Sequence, residues 1–237
     1  MFYEKTNAES VKRDIMKRLE KLQMEDIMFS YLVLRKTNPS HIFIASTYPA
    51  EWVELYISNK YQFIDPVVLT AFNCITPFNW SDCVSVQELK NLSKVFIQSS
   101  RYGIDEGFSF VLHDYENNLA ILSFLVCTID SHKHKTIIIQ NKTELLALLT
   151  EIHAECLAES HRAGGCKISQ DSMLTLRENE VFYWASKGKT NAETGVILGL
   201  SPGTIKFHMR NIARKLGVSN SKHAIRLGIE LKLIKSP

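Results

Sequence analysis

The strongest constraint on the fold is a series of helix boundaries in residues 175–216. Residues 175–178 and 190–193 each have the T-x-x-E pattern of a capping box, in which a hydroxyl and a carboxylate bind the free amides at a helix start. Ser201 followed by Pro202 is typical of an N-cap residue and the first position of a third helix. The turns between these starts are short, which favours helices that cross at a steep angle. The pattern therefore predicts a helix-turn-helix.

The helix that follows Ser201 separates an apolar face from a basic face. Its apolar residues recur at helical spacing and predict a buried stripe made of Ile205, Met209, Ile212, Ala213 and Leu216. Lys206, Phe207 and Arg210 share another face near the helix start, where a recognition helix meets base edges. Lysine and arginine suit guanine acceptors, and an aromatic ring suits the thymine methyl group. The alternative is an ordinary amphipathic helix with a solvated basic face.

The C-terminal segment resembles the DNA-binding domain of the LuxR family. Residues 177–182, 188–190 and 204–216 match the family pattern, and Phe182 departs from it because the family usually has leucine there. Arg214, Lys215 and Lys189 suit phosphate contacts, which hold register without reading sequence. The full set of positions for which we expect DNA contacts is Lys189, Thr190, Thr204, Lys206, Phe207, Arg210, Arg214 and Lys215.

The same resemblance implies a fourth helix, over residues 221–233, that joins two copies of the chain. Its plausible dimer contacts are Ala224, Ile225, Gly228 and Leu231. We therefore expect a homodimer that binds an inverted-repeat operator in double-stranded DNA. Half-sites about one helical turn apart give an operator of about 18–20 base pairs.

Charge divides the chain into two parts. Residues 173–237 contain 11 Lys and Arg against 4 Asp and Glu, whereas residues 1–172 contain 17 against 21. A basic segment attracts a polyanion and an acidic one is repelled by it, so we expect only the C-terminal part to bind DNA. A Gly pair in an aperiodic stretch predicts a linker at 161–172, between a domain at 1–160 and a DNA-binding domain at 173–237.

The N-terminal part has the pattern of an α+β domain. Runs rich in Val, Ile, Leu and Phe predict strands at 28–34, 41–46, 108–113 and 119–127. Asn117 and Asn118 favour a hairpin turn between the last two runs. Helical spacing predicts helices at 9–22, 87–101 and 143–159. We expect an α-β-α sandwich around an antiparallel sheet, followed by an all-α, four-helix module at the C-terminus.

Other function classes find little support in the sequence. Five cysteines without C-x-x-C spacing favour neither a disulfide framework nor a zinc site, and His132 and His134, in an expected loop, make a weak metal site. The charged N-terminus and the absence of a long apolar run favour a cytoplasmic protein that does not enter a membrane. Neither G-x-S-x-G nor H-x-H-x-D-H occurs, so we expect no enzyme, metal or cofactor. A phosphorylated receiver domain would need an acidic cluster that residues 1–60 lack.

An aromatic stretch in residues 46–80 is the candidate ligand site. Tyr48, Trp52 and Tyr56 recur at i, i+4 and i+8, which predicts three large rings on one helical face. Asp65 precedes Pro66 in apolar surroundings. An apolar cavity with a few directed polar groups suits a small amphiphile. From the residues alone, core packing of the rings and helix capping by Asp65 is the commoner explanation.

The N-terminal part is similar to the autoinducer-binding domain of acyl-homoserine-lactone receptors. The resemblance is carried by residues 48–56, 65–67, 77–80 and 107–108. It implies that Trp52 donates to the lactone carbonyl, that Asp65 accepts from the ligand amide, and that Tyr48 donates to the amide carbonyl. The implied ligand-binding set is Tyr48, Trp52, Tyr56, Asp65, Trp80, Gly107 and Ser123, with Tyr56 and Trp80 as walls and Gly107 allowing close backbone approach.

Further segments resemble the enterobacterial branch of EsaR, ExpR, SmaR and YenR. These are residues 69–72, 111–114 with 117–120, and 215–220 with 224–228. The resemblance implies a 3-oxo-hexanoyl type of lactone and a protein that binds DNA without ligand and releases it when the ligand arrives. Two alternatives stay open at this point: a ligand-dependent activator of the usual polarity, and a dimeric transcription factor that binds no lactone.

Overall fold

The computed structural model describes residues 7–82, 93–126, 131–162, 173–231 and 233–236. They fall into two compact units. The N-terminal unit lies within Met1–Leu34 and Ile42–Ser169, and the C-terminal unit lies within Arg35–His41 and Gln170–Pro237. Most of the expected linker, at 163–172, lies outside the described residues. A search of the described helices finds none with the length and apolar character needed to span a membrane.

Five strands form one antiparallel sheet in the order β2-β1-β5-β4-β3. The strands are β1 (Phe29–Arg35), β2 (Asn38–Ser46), β3 (Phe78–Asn79), β4 (Gly107–His113) and β5 (Asn118–Leu125). Four of them confirm the predicted strands, and Asn117 takes the left-handed conformation expected of the turn before β5. The two-residue β3 was not predicted, because a strand of that length has no periodicity to read.

In the described part of the N-terminal unit, six α-helices cover the two faces of the sheet. They are α1 (Ala8–Glu20), α2 (Ala50–Ser58), α3 (Pro66–Ala71), α4 (Ser93–Ser100), α5 (Ser131–Gln140) and α6 (Lys142–Ser160). Alternate strand residues such as Phe110 and Phe124 pack with α1 and α6 in the main core. The strand residues that alternate with these point to the other face of the sheet, where a cavity separates them from α2, α3 and α4. The predicted α-β-α sandwich is therefore confirmed.

The segment around His132 and His134 is a helix, α5, and not the expected loop. Residues two apart on a helix point in nearly opposite directions, so His132 is exposed whereas His134 is buried. Within the described residues there is no group of three or more metal-ligating side chains. The helix was missed because its first half is polar and lacks an apolar stripe.

The C-terminal unit contains four short helices: α7 (Leu176–Ser186), α8 (Asn191–Leu198), α9 (Pro202–Lys215) and α10 (Ser221–Glu230). Both predicted capping boxes are formed, at Thr175 and at Thr190. Ser201 caps α9 by accepting from the Thr204 amide, with Pro202 at the first helical position. The predicted stripe from Ile205 to Leu216 is buried. Helix starts are set by contacts within three residues, which is why the sequence predicts them well.

The core of this unit is built around Phe182, the residue that departs from the LuxR pattern. Its side chain is fully buried and lies against Gly228 of α10. A Cβ atom at position 228 would overlap the Phe182 ring, so the larger aromatic residue is accommodated by a glycine opposite. Gly228 therefore faces inward, as do Ala224 and Leu231. The expectation that these three residues form dimer contacts is wrong, because the core of their own unit buries them.

Candidate functional site

A cavity lies between the sheet and helices α2, α3 and α4. Its volume is about 70 Å³, measured as the space open to the centre of a water-sized sphere. A single water needs only about 10–15 Å³ by this measure, so the cavity holds several atoms of a guest. The lining is mostly apolar and consists of Ser30, Leu32, Ile44, Tyr48, Trp52, Val53, Tyr56, Asp65, Val67, Val68, Trp80, Val95, Phe96, Ser99, Ile104, Ile121 and Ser123.

Asp65 caps a helix and also lines the cavity. It is the N-cap of α3, where one carboxylate oxygen accepts from the Val67 amide at 2.9 Å. The other oxygen accepts from the Tyr56 hydroxyl at 2.7 Å. Burial raises the pKa of Asp65, and these hydrogen bonds only partly oppose that shift. The result is an acceptor held in a fixed direction in apolar surroundings.

Tyr48 lies on the cavity but not on the helix predicted for it. Helix α2 begins at Ala50 with Pro49 as its N-cap, and a residue before proline is confined to extended backbone. The Tyr48 hydroxyl is buried and has no hydrogen-bond partner among the described residues. Burial, with the charge of Asp65, raises the pKa of Tyr48. The hydroxyl is thus a protonated donor that faces the cavity without an acceptor.

Trp52 contacts three tyrosine rings and is only 5% exposed. The Tyr56 ring meets it edge-on at 5.9 Å between centroids, and Tyr61 and Tyr102 each lie at 5.8 Å. Such pairs contribute about 0.5–1.5 kcal/mol beyond the area they bury. Tyr61 and Tyr102 were not predicted, because they come from outside α2. Together the rings fix the orientation of the Trp52 indole.

Trp80, Ser109 and Ser123 form a series of hydrogen bonds that runs from the residue after β3, across β4, to β5. The Trp80 indole N–H donates to Ser109 Oγ at 2.8 Å, and the hydroxyls of Ser109 and Ser123 are 2.7 Å apart. The two serines face each other because they are directly paired in the β4–β5 ladder. Ser109 is fully buried, whereas Ser123 lines the cavity. Ser109 was not among the predicted site residues.

Gly107 does not line the cavity but allows Trp80 to do so. A Cβ atom at position 107 would lie 2.6 Å from Trp80 Cε2 and 2.8 Å from the Phe124 carbonyl oxygen. A side chain here would displace the indole. The close approach that the sequence suggested for Gly107 is therefore an approach by Trp80. The other six predicted ligand-binding positions all line the cavity.

Helix α9 presents a second candidate site. Lys206, Phe207, Arg210 and Arg214 are all exposed on it, and the Phe207 ring is 58% exposed despite being apolar. The buried stripe of the same helix packs against α7, α8 and α10. The basic face thus remains open to a partner, with one apolar ring among its cations. This arrangement can contact phosphates and base edges together.

The remaining predicted DNA-binding residues also have internal partners. Lys215 donates to Glu178 at 2.6 Å and to the Met173 carbonyl at 3.1 Å. Burial opposes the charge of Glu178, but the hydrogen bonds from Lys215 and Thr175 outweigh it, and the pKa of Glu178 is lowered. A phosphate contact by Lys215 stays a prediction and would require this pair to open.

Thr190 and Thr204 are engaged in helix starts. The Thr190 hydroxyl donates to Glu193 at 2.8 Å, and the Thr204 hydroxyl lies 2.8 Å from that of Ser201. Lys189 is 3.9 Å from Glu193, which is a loose ion pair that leaves its ammonium group available. The threonines therefore stabilise the turns on either side of α8, and Lys189 adds a positive charge next to Thr190.

Comparisons with known proteins match both parts of the chain. The model of the autoinducer binding domain matches residues 7–156, and that of the bacterial regulatory proteins of the luxR family matches residues 172–227. Among solved structures, SdiA in complex with octanoyl-rac-glycerol aligns with 100% of this chain and 93% of that one, at 22% identity and a TM-score of 0.46.

Two curated relatives cover nearly the whole chain. The transcriptional activator protein EchR of Dickeya chrysanthemi is 44% identical over 214 residues, which are 89% of this chain and 86% of the relative. The transcriptional activator protein EsaR of Pantoea stewartii is 40% identical over 235 residues, or 97% and 94%.

Proposed function

Because this chain belongs to the LuxR family of quorum-sensing transcriptional regulators, we propose that a lactone bound in its cavity controls its binding to a palindromic operator. The ligand is an N-acyl-homoserine lactone, of the 3-oxo-hexanoyl type. The chain acts as a homodimer in the cytoplasm, where its DNA lies. Its domains are residues 1–160 for the ligand and 173–237 for DNA, joined by a linker at 161–172.

The observation that carries the ligand class is the unpartnered Tyr48 hydroxyl beside the Asp65 carboxylate. One group donates and the other accepts, and both face an apolar cavity. A secondary amide on an alkyl chain is the complement, since its carbonyl accepts and its N–H donates. Each carboxylate oxygen has two lone pairs, so Asp65 keeps capacity for the ligand after bonding to Tyr56 and Val67.

The other positions complete the ligand site in this proposal. Trp52 donates its indole N–H to the lactone carbonyl, and its ring cluster holds the direction of that bond. Tyr56 and Trp80 form walls, and Ser123 offers a hydroxyl. Each methylene of the acyl tail buried against the apolar lining contributes about 0.8 kcal/mol.

DNA binding is assigned to the basic face of α9. Lys206, Phe207 and Arg210 contact base edges, and Arg214 with Lys189 contacts phosphates. The open face supports this assignment, because four exposed residues share it while the apolar stripe is buried. A basic unit on an otherwise acidic chain directs that face toward DNA.

The lactone assignment is tested with the substitution Tyr48→Phe and its matched control Tyr56→Phe. Tyr48→Phe removes a donor that has no partner in the free protein, so the free energy of unfolding stays the same or rises. Affinity for N-(3-oxohexanoyl)-homoserine lactone, measured by isothermal titration calorimetry, falls about five- to tenfold because one hydrogen bond to the ligand is lost. Tyr56→Phe, by contrast, destabilises the free protein because Asp65 loses a partner.

Two results would count against the proposal. One is the absence of saturable heat with lactones of graded tail length added to the folded wild type. The other is an unchanged lactone affinity in Tyr48→Phe, which would place the amide elsewhere in the cavity. A scan of tail lengths by thermal shift identifies the best-fitting ligand, because stabilisation follows RT ln(1 + [L]/Kd).

A further inference from the structure

We propose that Ser109 is a positioning residue that turns Ser123 into an obligate hydrogen-bond donor for a carbonyl on the acyl chain. The inference rests on the proposed lactone function and adds the element that selects a 3-oxo chain over an unsubstituted one. Ser109 does not touch the cavity. It acts through its 2.7 Å contact with the Ser123 hydroxyl, which does.

The donor and acceptor roles of Trp80, Ser109 and Ser123 follow from counting the hydrogens available for these bonds. The Trp80 indole has a single N–H and can only donate, so Ser109 Oγ is an acceptor toward Trp80. If Ser123 also donated to Ser109, the hydrogen of Ser109 would need another acceptor. Across the described part of the chain, Ser109 Oγ has no hydrogen-bond partners besides Trp80 and Ser123. Because Ser109 is fully buried, that hydrogen would have no water to bind either.

The opposite direction satisfies both buried groups, the Trp80 indole N–H and the Ser109 hydroxyl. Ser109 accepts from Trp80 and donates to Ser123, and Ser123 then accepts from Ser109. The hydrogen of Ser123 is left over, and Ser123 is the member of the chain whose hydroxyl borders the cavity along with the Trp80 ring. Successive hydrogen bonds of this kind polarise one another, which strengthens the terminal donor. A guest oxygen that only accepts, such as a carbonyl, fits this position.

Besides Trp52 and the hydroxyl of Ser30, the cavity lining offers Tyr48 and Ser123 as donors and Asp65 as an acceptor. Tyr48 and Asp65 complement the carbonyl and the N–H of the ligand amide. Ser123 remains for a second carbonyl on the acyl side, and a 3-oxo group supplies one. An unsubstituted chain leaves the Ser123 hydrogen buried without an acceptor, which costs free energy in the complex. The preference for a 3-oxo chain over an unsubstituted one therefore comes from the Ser123 hydroxyl, whose hydrogen is fixed toward the cavity.

The rigidity of Trp80 is part of the device. The indole is packed against Gly107, where any side chain would overlap it, and its ring also meets Phe96 at 6.4 Å between centroids. The N–H cannot follow the ligand without breaking its bond to Ser109. Trp80 thus serves as a wall through its ring, and its N–H sets the polarity of the two serines.

The test compares Ser109→Ala with Ser109→Thr in the full-length protein. Affinities for N-(3-oxohexanoyl)- and N-hexanoyl-homoserine lactone are measured by calorimetry, and the readout is their ratio. In Ser109→Ala the preference for the 3-oxo ligand falls about tenfold, the equivalent of one hydrogen bond. Ser109→Thr keeps a hydroxyl and keeps the preference. A purely structural role would weaken both ligands by one factor, and that result would overturn the proposal.

A second measurement on the wild type guards against a variant that does not fold. The chain has three tryptophans, so the indole N–H of Trp80 can be resolved by nitrogen-15 NMR. We expect it to be protected from solvent exchange before and after either ligand is added, because Ser109 already binds it. Protection that appears only with ligand would refute the assigned direction. If the wild type binds neither lactone, the proposed function fails first, which is a different outcome.

Discussion

Two glycines decide where aromatic side chains sit in this protein. Gly107 makes room for Trp80 at the cavity, and Gly228 makes room for Phe182 in the C-terminal unit. Neither glycine is at a positive φ angle, so their value lies in the missing Cβ and not in backbone freedom. At each position the aromatic residue and the glycine form one unit of packing.

The Phe182–Gly228 pair leads to a prediction about stability. In an ordinary helix, replacing glycine by alanine stabilises by about 1 kcal/mol. At position 228 the new Cβ overlaps the Phe182 ring, so Gly228→Ala is expected to lower the free energy of unfolding by about 1–3 kcal/mol. Urea denaturation of the wild type and the variant measures the change.

The matched background for this experiment is Phe182→Leu. Leucine is shorter than phenylalanine, so the same alanine substitution should be tolerated there, with a coupling free energy of about 1 kcal/mol or more in a double-mutant cycle. Additive effects of the two substitutions would show that ring and glycine do not interact as the structure indicates.

Among the elements, α9 divides its residues between the core and a partner. Its stripe from Ile205 to Ala213 is buried, while Lys206 and Arg210 are free of internal ion pairs within the described part of the chain. Lys215, on its last turn, is committed to Glu178. The first three turns of the helix, which include Lys206 and Arg210, are therefore the part available to bases.

Substitutions on α9 should separate base reading from charge. Lys206→Ala or Arg210→Ala is expected to cost about 1–3 kcal/mol of operator binding and to relax base preference, because each removes a donor to a base edge. Lys189→Ala should weaken operator and random DNA alike and lower the salt slope by about one. Fluorescence anisotropy over a range of salt concentrations measures both quantities.

Lys21→Ala is the control, since Lys21 is an exposed lysine of the N-terminal unit. It should leave both the affinity and the salt slope unchanged. An Arg210→Ala variant that keeps full discrimination between operator and random DNA would contradict the base-reading role of α9.

Helix α6 is tied to the β4–β5 turn by a buried hydrogen bond between His153 and Asp114. Asp114 accepts from His153 at 2.9 Å, from the Asn118 amide at 2.7 Å and from the Glu116 amide at 2.9 Å. His153 in turn lies 2.9 Å from the Tyr31 hydroxyl in β1. Burial alone would raise the pKa of Asp114, but these bonds outweigh it and lower the pKa to about 2.

This pair gives a stability contribution with a defined pH window. A carboxyl whose pKa falls on folding stabilises above its unfolded pKa, and that contribution is lost as pH drops through its folded pKa. The lowering from 3.8 to about 2 corresponds to about 2 kcal/mol, present above about pH 4 and lost toward pH 2. The difference in unfolding free energy between the wild type and Asp114→Asn should therefore shrink over this window.

What the sequence could predict depends on how far apart the interacting residues are. The caps at Thr175 and Thr190 need partners only three residues away, and Asp65 accepts from the Val67 amide two residues away. All three caps could therefore be predicted from the sequence. The extended backbone of Tyr48 was also legible from Pro49, although the spacing of the aromatic rings suggested a longer helix. Local rules recovered the boundaries of most elements.

Contacts between residues far apart in the sequence could not be predicted. Ser109 meets Trp80 from 29 residues away and Ser123 from 14, and only the strand register brings them together. A serine in a strand carries no mark of such a role. The space left by Gly228 for Phe182 was equally invisible, because the two lie on different helices. Sequence patterns therefore predicted the residues that line the cavity but missed the hydrogen bonds that connect Ser123 to Ser109 and Trp80.

For the whole molecule, the central question is how the two units influence each other. The acidic N-terminal part and the basic C-terminal part carry opposite charges, and their activities are assigned to a ligand and to DNA respectively. A ligand changes DNA affinity only if it binds one conformational state of the protein better than the other. By linkage, operator DNA must then change lactone affinity by the same factor.

The resemblance to the enterobacterial branch leads us to predict a negative sign for this coupling. Adding N-(3-oxohexanoyl)-homoserine lactone should raise the Kd of the dimer for an inverted repeat of about 18–20 base pairs, measured by fluorescence anisotropy. A coupling of about 1–3 kcal/mol would weaken binding about 5- to 150-fold. Calorimetry of the lactone with the dimer already bound to its operator should show affinity reduced by the same factor.

The Tyr48→Phe dimer should need more lactone for release while binding free operator as the wild type does. Tighter operator binding on adding lactone would reverse the predicted sign, and equal lactone affinity with and without operator would mean that the two units are uncoupled.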